Sequence, residues 1–94
     1  MKIKRQEHKR KGAFFIEEND EWIAEMTYFR EGERKIVIDH TAVAKSLRGK
    51  GIAKALVDAA VKFARSKNLL IKPVCPFAKK VLESSEDYED VLTR

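Results

Sequence analysis

Arg48-Gly49-Lys50-Gly51 places two glycines two apart among cations, directly before an Ala/Leu/Val-rich segment. Glycine costs a helix interior about 1 kcal/mol relative to alanine, so helix stability does not explain the pair. The first turn of a helix exposes unpaired N–H groups and a partial positive charge, which attract phosphates. Glycine at 49 and 51 lets the backbone approach an oxygen-rich ligand without a Cβ in the way, and Arg48, Lys50 and Lys54 add longer-range attraction. The other reading is a tight turn carrying surface lysines. The succession of strand, glycine turn and amphipathic helix favours a phosphate cradle. Two known phosphate loops do not fit: Ile52 follows Gly51 where a Walker loop needs Lys-Ser/Thr, and a dinucleotide fingerprint lacks both its sixth-position small residue, here Lys54, and its downstream acid.

Two further side chains carry chemistry. Cys75, the single cysteine, directly precedes Pro76, so it falls at a helix N-cap with proline in the first helical position. The positive helix end favours the thiolate there, which makes Cys75 a candidate acyl-accepting nucleophile. It reads equally as a small buried hydrophobe. His40 lies in an apolar run and is expected to share a face with Ile36 and Ile38, with Asp39 and Thr41 facing the other way. It is a candidate general base toward an amine or toward Cys75, or a hydrogen-bonded structural residue. Asp39 is a weaker base candidate. One Cys, two His and scattered acids give no metal-ligand spacing, so no metal is expected.

The elements that must position these residues follow from periodicity. Residues 12–18 and 21–30 are apolar and aromatic runs separated by Asn-Asp, which predicts a β-hairpin. Alternation assigns Trp22, Ala24, Met26 and Tyr28 to one face; Trp22, Tyr28 and Phe29 are expected to pack the sheet. Residues 34–43 form a third strand of an antiparallel meander. From 51 to 66 the period changes: Ile52, Ala53, Leu56, Val57, Ala60, Phe63 and Ala64 recur at spacings of three and four. Asn68 supplies a left-handed cap. A short apolar strand, 69–75, then implies a right-handed β-α-β crossover with parallel strands. Pro76 opens a last helix through about Ser84, with Phe77, Val81 and Leu82 facing inward. The fold class is α/β, a mixed α+β sheet with an antiparallel N-terminal meander, a β-α-β crossover and a C-terminal helix.

With Gln/Arg-x-x-Gly-x-Gly/Ala in view, Arg48-Gly49-Lys50-Gly51-Ile52-Ala53 resembles the signature of the GNAT N-acetyltransferase superfamily. Val43, five residues upstream, matches the apolar end of that family's central strand, and Ala78 its N-x-x-A pattern. The likeness spans roughly residues 12–82 and is narrower toward the short, YjdJ-type GNAT-like acetyl-CoA-binding proteins, through their "IDHT…G-x-G…C-x-F-A" layout. The resemblance implies a minimal GNAT-like fold that binds acetyl-CoA (coenzyme A) as co-substrate. The coenzyme pyrophosphate would lie on Arg48, Gly49, Lys50, Gly51, Ile52, Ala53 and Lys54, and its pantetheine along Thr41, Ala42 and Val43. Amides near Ala42 and Val43 would polarise the thioester between splayed strands. It implies acetyl transfer to an unidentified amine, a small molecule or a protein, with Cys75 and His40 as catalytic candidates. Several positions depart from the family. Lys45 replaces a frequent proline, Cys75 an asparagine, and Leu82 the tyrosine that protonates the departing thiolate; the C-terminal hairpin that completes the acceptor site is expected to be absent. Those departures favour, as an alternative, a non-catalytic CoA-binding regulatory module.

The chain has 94 residues, which suits one domain, 1–94, rather than two. Its 37% charged and 44% hydrophobic residues fit a globular protein with a charged surface. No apolar run approaches the ~20 residues of a membrane span, and the basic N-terminus lacks an apolar signal core, so no membrane partner and a cytoplasmic location are expected. The net charge of +5 is uneven. Residues 1–11 read as a basic, solvated and partly frayed N-terminal arm, and 85–94 as an acidic, solvated C-terminal tail. The arm makes nucleic-acid binding an alternative function, a weaker one for want of interleaved aromatics. A monomer or weak homodimer through an open edge strand is expected.

Overall fold

In a computed structural model that describes residues 2–93, a five-stranded sheet carries two helices on one face. The strands are β1 (Lys4–His8), β2 (Lys11–Glu18), β3 (Glu21–Glu31), β4 (Lys35–Val43) and β5 (Leu70–Pro73), in the order β1-β2-β3-β4-β5. The first four pair antiparallel, and β5 joins β4 in parallel after the crossover helix α1 (Ile52–Lys67). Helix α2 (Pro76–Glu83) follows, then a short 3-10 turn (Glu86–Tyr88). The β2–β3 turn uses Asn19 and Asp20, both with positive φ, as a two-residue hairpin requires. Asn68 ends α1 in the left-handed region, φ 55° and ψ 45°.

The inner sheet face contributes Phe14, Ile16, Ala24, Met26, Tyr28, Ile36 and Ile38 to the core, and α1 meets it with Leu56, Val57, Ala60, Val61 and Ala64. Helix α2 adds Ala78 and Leu82. Phe77 does not face inward as the sequence pattern predicts. It is 40% exposed, because Ala78 and Leu82, four apart, set the buried stripe and leave position 77 to its side.

Both chain ends depart from expectation. The basic arm is not frayed: Lys4–His8 is edge strand β1, paired with 11–15 through a turn at Lys9 and Arg10. The Tyr28 hydroxyl anchors it, accepting from Arg5 Nη1 at 2.9 Å and donating to Glu7 Oε1 at 2.8 Å. The Arg5 guanidinium also lies 4.2 Å from the Phe63 ring centroid. Gly12 makes room for this arrangement, since a Cβ there would come within 2.5 Å of the Tyr28 Cζ and hydroxyl. The acidic tail is docked as well. Val91 is buried, Leu92 bridges Ile71 in parallel, and Arg65 grips Asp90 at 2.8 and 2.9 Å. The uneven charge was a poor guide because Arg5, Glu7 and Asp90 at the two ends are paired against the fold.

Two register shifts reverse side chains that simple alternation would place. Between Ile16↔Ala24 and Glu17↔Trp22 the pairing skips Ile23. Trp22 therefore leaves the inner face and stacks on Phe15, ring centroids 4.1 Å apart, on the outer one. Between Tyr28↔Ile38 and Thr27↔His40 the pairing skips Asp39. Directly opposed residues share a face, so His40 turns outward with Thr27, while Thr41 turns inward opposite Met26. This inverts the expected facing of His40 and Thr41. The displaced Asp39 accepts a 2.7 Å hydrogen bond from the Thr27 hydroxyl.

Candidate functional site

Strand β5 stops pairing with β4 at Ile38↔Pro73, where proline has no N–H to continue the ladder. The Val74 and Cys75 amides both donate to the Ile38 carbonyl, at 2.9 and 3.0 Å. Beyond that point β4 runs on through residues 39–43 while the other chain turns into α2, and a gap opens between them. The Ala44 amide donates to Ile23 O across β3 at 2.8 Å. By antiparallel alternation the Val43 and Thr41 amides then face the gap, whereas Ala42 turns its amide toward β3. Of the two positions expected to polarise a carbonyl, Val43 is the one so oriented.

At the mouth of the gap lies the glycine turn. Gly49 and Gly51 have φ of 80° and 73°, a region that side-chain-bearing residues rarely adopt. A Cβ on either would meet nothing within 4 Å, so the turn faces open space. Gly51 is the N-cap of α1. No side chain caps this end and no acid lies in its first turn, which leaves the Ile52, Ala53 and Lys54 amides without helical acceptors. A cleft of about 330 Å³ there is lined by Val43, Arg48, Gly49, Gly51, Ile52, Ala53 and Lys54, together with Leu47 and Phe77. Sequence reasoning missed these last two. Leu47 is buried in a 3-10 turn (Lys45–Leu47), and an exposed aromatic beside a glycine turn was the one available hint for Phe77. Lys50 is exposed on the loop outside the lining. Arg48 folds back so that Nε donates to Val43 O at 3.4 Å. Lys54 is tied at 2.8 Å to Asp58, which also accepts from the Tyr88 hydroxyl at 2.8 Å.

Cys75 is the N-cap of α2, 6% exposed, with its Sγ 3.3 Å from Thr41 Oγ1. Burial pushes the thiol pKa up. The Thr41 hydroxyl and the Ala78, Phe77 and Thr41 amides outweigh it, and the net shift is downward. The reversal at Asp39 thus brings Thr41 to Cys75, and leaves His40 exposed on the opposite face. His40 and Cys75 are not brought together. Leu82 is fully buried in the core, so the helix after β5 presents no phenol at that position. Among the described residues, no three potential metal-ligating side chains gather, and no helix is long and apolar enough to cross a membrane.

Comparison with known proteins places this geometry. The family model described as GCN5-related N-acetyl-transferase matches residues 13–91. A GCN5-like protein from Staphylococcus aureus, solved by NMR, is 39% identical, with a TM-score of 0.73 over 98% of this chain and 87% of that one. The ribosomal-protein-alanine N-acetyltransferase of Brucella melitensis biovar Abortus 2308 is 25% identical, with a TM-score of 0.63 over 79% of this chain and 61% of its own. An aminoglycoside 6'-N-acetyltransferase complexed with coenzyme A shares the fold at 20% identity, TM-score 0.57, over 67% of this chain and 36% of that enzyme. No curated protein matches in sequence.

Proposed function

The chain belongs to the GCN5-related N-acetyltransferase family, and on that premise we propose that it binds acetyl-CoA and transfers the acetyl group to an amine. One observation carries the reading: an uncapped, acid-free helix N-terminus behind two positive-φ glycines opens onto the gap between β4 and β5. The Ile52, Ala53 and Lys54 amides are the donors for the diphosphate, with Arg48 and Lys54 as its counter-charges. Val43, Leu47 and Phe77 supply apolar walls for the pantetheine arm, and the Val43 and Thr41 amides border the thioester.

Cys75 gives the transfer a covalent route. Its sulfur attacks the thioester carbonyl, the bond from acetyl carbon to coenzyme sulfur breaks, and the coenzyme leaves as a thiol after taking up a proton. The amine then attacks the acetyl-cysteine, loses a proton to solvent, and regenerates the Cys75 thiolate. His40 lies on the outer face of the strand that borders the gap, away from Cys75, and takes no part in this scheme. Arg48, Lys50 and Lys54 steer an anionic ligand toward the turn.

Calorimetric titration with acetyl-CoA tests the binding half: saturable heat is expected, abolished in Gly49→Val and Gly51→Val, and its absence in the parent chain ends the proposal. Intact-mass measurement after incubation with acetyl-CoA tests the covalent half, with an acetyl adduct expected in the parent and missing in Cys75→Ala. A second reading, coenzyme binding without turnover, is favoured by Leu82, which offers no proton donor where the resemblance implies a tyrosine. No release of coenzyme with any class of amine, and no adduct, selects that reading.

A further inference from the structure

Neither helix packs on the outer face of the sheet, and the strand register draws a line of residues across it. His8 opposes Lys11, Lys11 opposes Phe29, Phe29 opposes Val37, and Val37 opposes Lys72. Opposed residues share a face, and Val37 is absent from the core cluster on the helix side. The five side chains therefore form one row over five strands, about 19 Å long at ~4.8 Å per strand. Val37 is the buried floor, Phe29 is partly exposed at the centre, and His8, Lys11 and Lys72 are exposed around it. Among the described residues, neither lysine is held in an ion pair within 4 Å; Glu31, paired with Lys35 at 2.9 Å, also feels the more distant charge of Lys72.

The next row, Gln6, Ala13, Thr27 and His40, adds hydrogen-bonding groups beside it. Two shallow grooves, about 400 and 490 Å³, meet at Lys11, Gly12 and Thr27, walled by Trp22 on one side and Phe29 on the other, with the Asp39 carboxylate, held by the Thr27 hydroxyl, lining the second. Residues 1–11 contain no Phe, Trp or Tyr of their own; the pairing of two strands brings Phe29 beside Lys11.

We infer that this row is a binding surface for single-stranded nucleic acid, with Phe29 stacking on a base and Lys11 and Lys72 contacting phosphates. Cations alone would suit any polyanion. The aromatic at the centre of the row favours a partner that has flat rings as well as phosphates, since base–aromatic stacking tolerates any sequence. A flat sheet face suits an unpaired strand better than a duplex, whose bases are already stacked. The surface is remote in the sheet from the glycine turn, so it stands whether or not the coenzyme reading does.

The test is fluorescence polarisation of a labelled oligothymidine against the full chain at several salt concentrations, with Trp22 fluorescence as a second signal. Saturable binding is expected, weakening with a log–log salt slope of roughly −0.7 for each phosphate neutralised. Phe29→Leu, which keeps an apolar side chain in place, is expected to lose about tenfold in affinity. Lys11→Glu with Lys72→Glu is expected to abolish binding while leaving the circular dichroism spectrum and coenzyme binding unchanged. Should Phe29→Leu not fold, the paired lysine reversal decides. Absence of saturable binding overturns the inference. Equal affinity for polyglutamate or duplex DNA, with Phe29→Leu binding like the parent, overturns it too, by reducing the surface to a general polyanion patch.

Discussion

At the scale of single residues, Cys75 and Asp58 yield the sharpest expectations. Donors converging on the Cys75 sulfur outweigh its burial, so its alkylation by iodoacetamide should rise with pH through a midpoint lower than that of an unperturbed cysteine. Thr41→Val removes the hydroxyl 3.3 Å away and should move that midpoint upward; an unmoved midpoint means the helix amides alone set it. Asp58 holds Lys54 in an exposed i,i+4 pair, a geometry of small stabilising value. A diphosphate at the α1 amides competes for the same ammonium and is repelled by the same carboxylate. Asp58→Asn should therefore tighten acetyl-CoA by about two- to threefold, measured by calorimetry, and the gain should shrink in the Lys54→Met background, where only the lost repulsion remains.

Elements are decided by what a strand can pair with. Strand β1 has no buried residue of its own; it is held by its ladder to β2 and by the Arg5–Tyr28–Glu7–Arg30 cluster. Glu7 loses something to burial, but the Tyr28 hydroxyl and the Arg30 and Arg5 guanidinium groups bring its carboxyl pKa below the ordinary value. Ionised Glu7 thus stabilises the hairpin fully above its unfolded-state pKa, and the contribution disappears as pH falls through the depressed folded-state value. Protection of the residue 4–8 amides, relative to their intrinsic exchange, should fall over that acidic window in the parent and lose this pH dependence in Glu7→Gln. Gly12→Ala drives a methyl against the Tyr28 ring, and overpacking of that kind costs about 1–3 kcal/mol, which a denaturant melt would register.

For the molecule as a whole, one core is shared by sheet, helices and C-terminal segment. Val91 is 2% exposed, and the Ile71 and Thr93 amides donate to Val91 O and Ile71 O at 2.6 and 2.9 Å. Ending the chain after Ser84 should lower stability by at least about 2 kcal/mol, the worth of burying a valine side chain alone, with a fall in the thermal midpoint. If the truncated chain melts like the parent, the docked segment adds nothing. The same integration explains the site: α1, β4 and α2 each bring one wall of the gap, and none of them builds it alone.

Much of this was legible in the residues themselves. The change of period at 51–66, the Asn19-Asp20 turn, the Asn68 cap and the Pro76 helix start are local signals, because each depends on dihedral preferences and side-chain spacing within a few residues. The glycine turn was legible for the same reason. The tertiary structure alone settled which way His40, Thr41 and Trp22 point, that the charged termini are docked, and that Lys11 lies beside Phe29. A strand alternates with a period of two, so one inserted residue reverses every side chain beyond it. Asp39 and Ile23 are such insertions, and whether a residue is inserted depends on the neighbouring strand rather than on its own sequence.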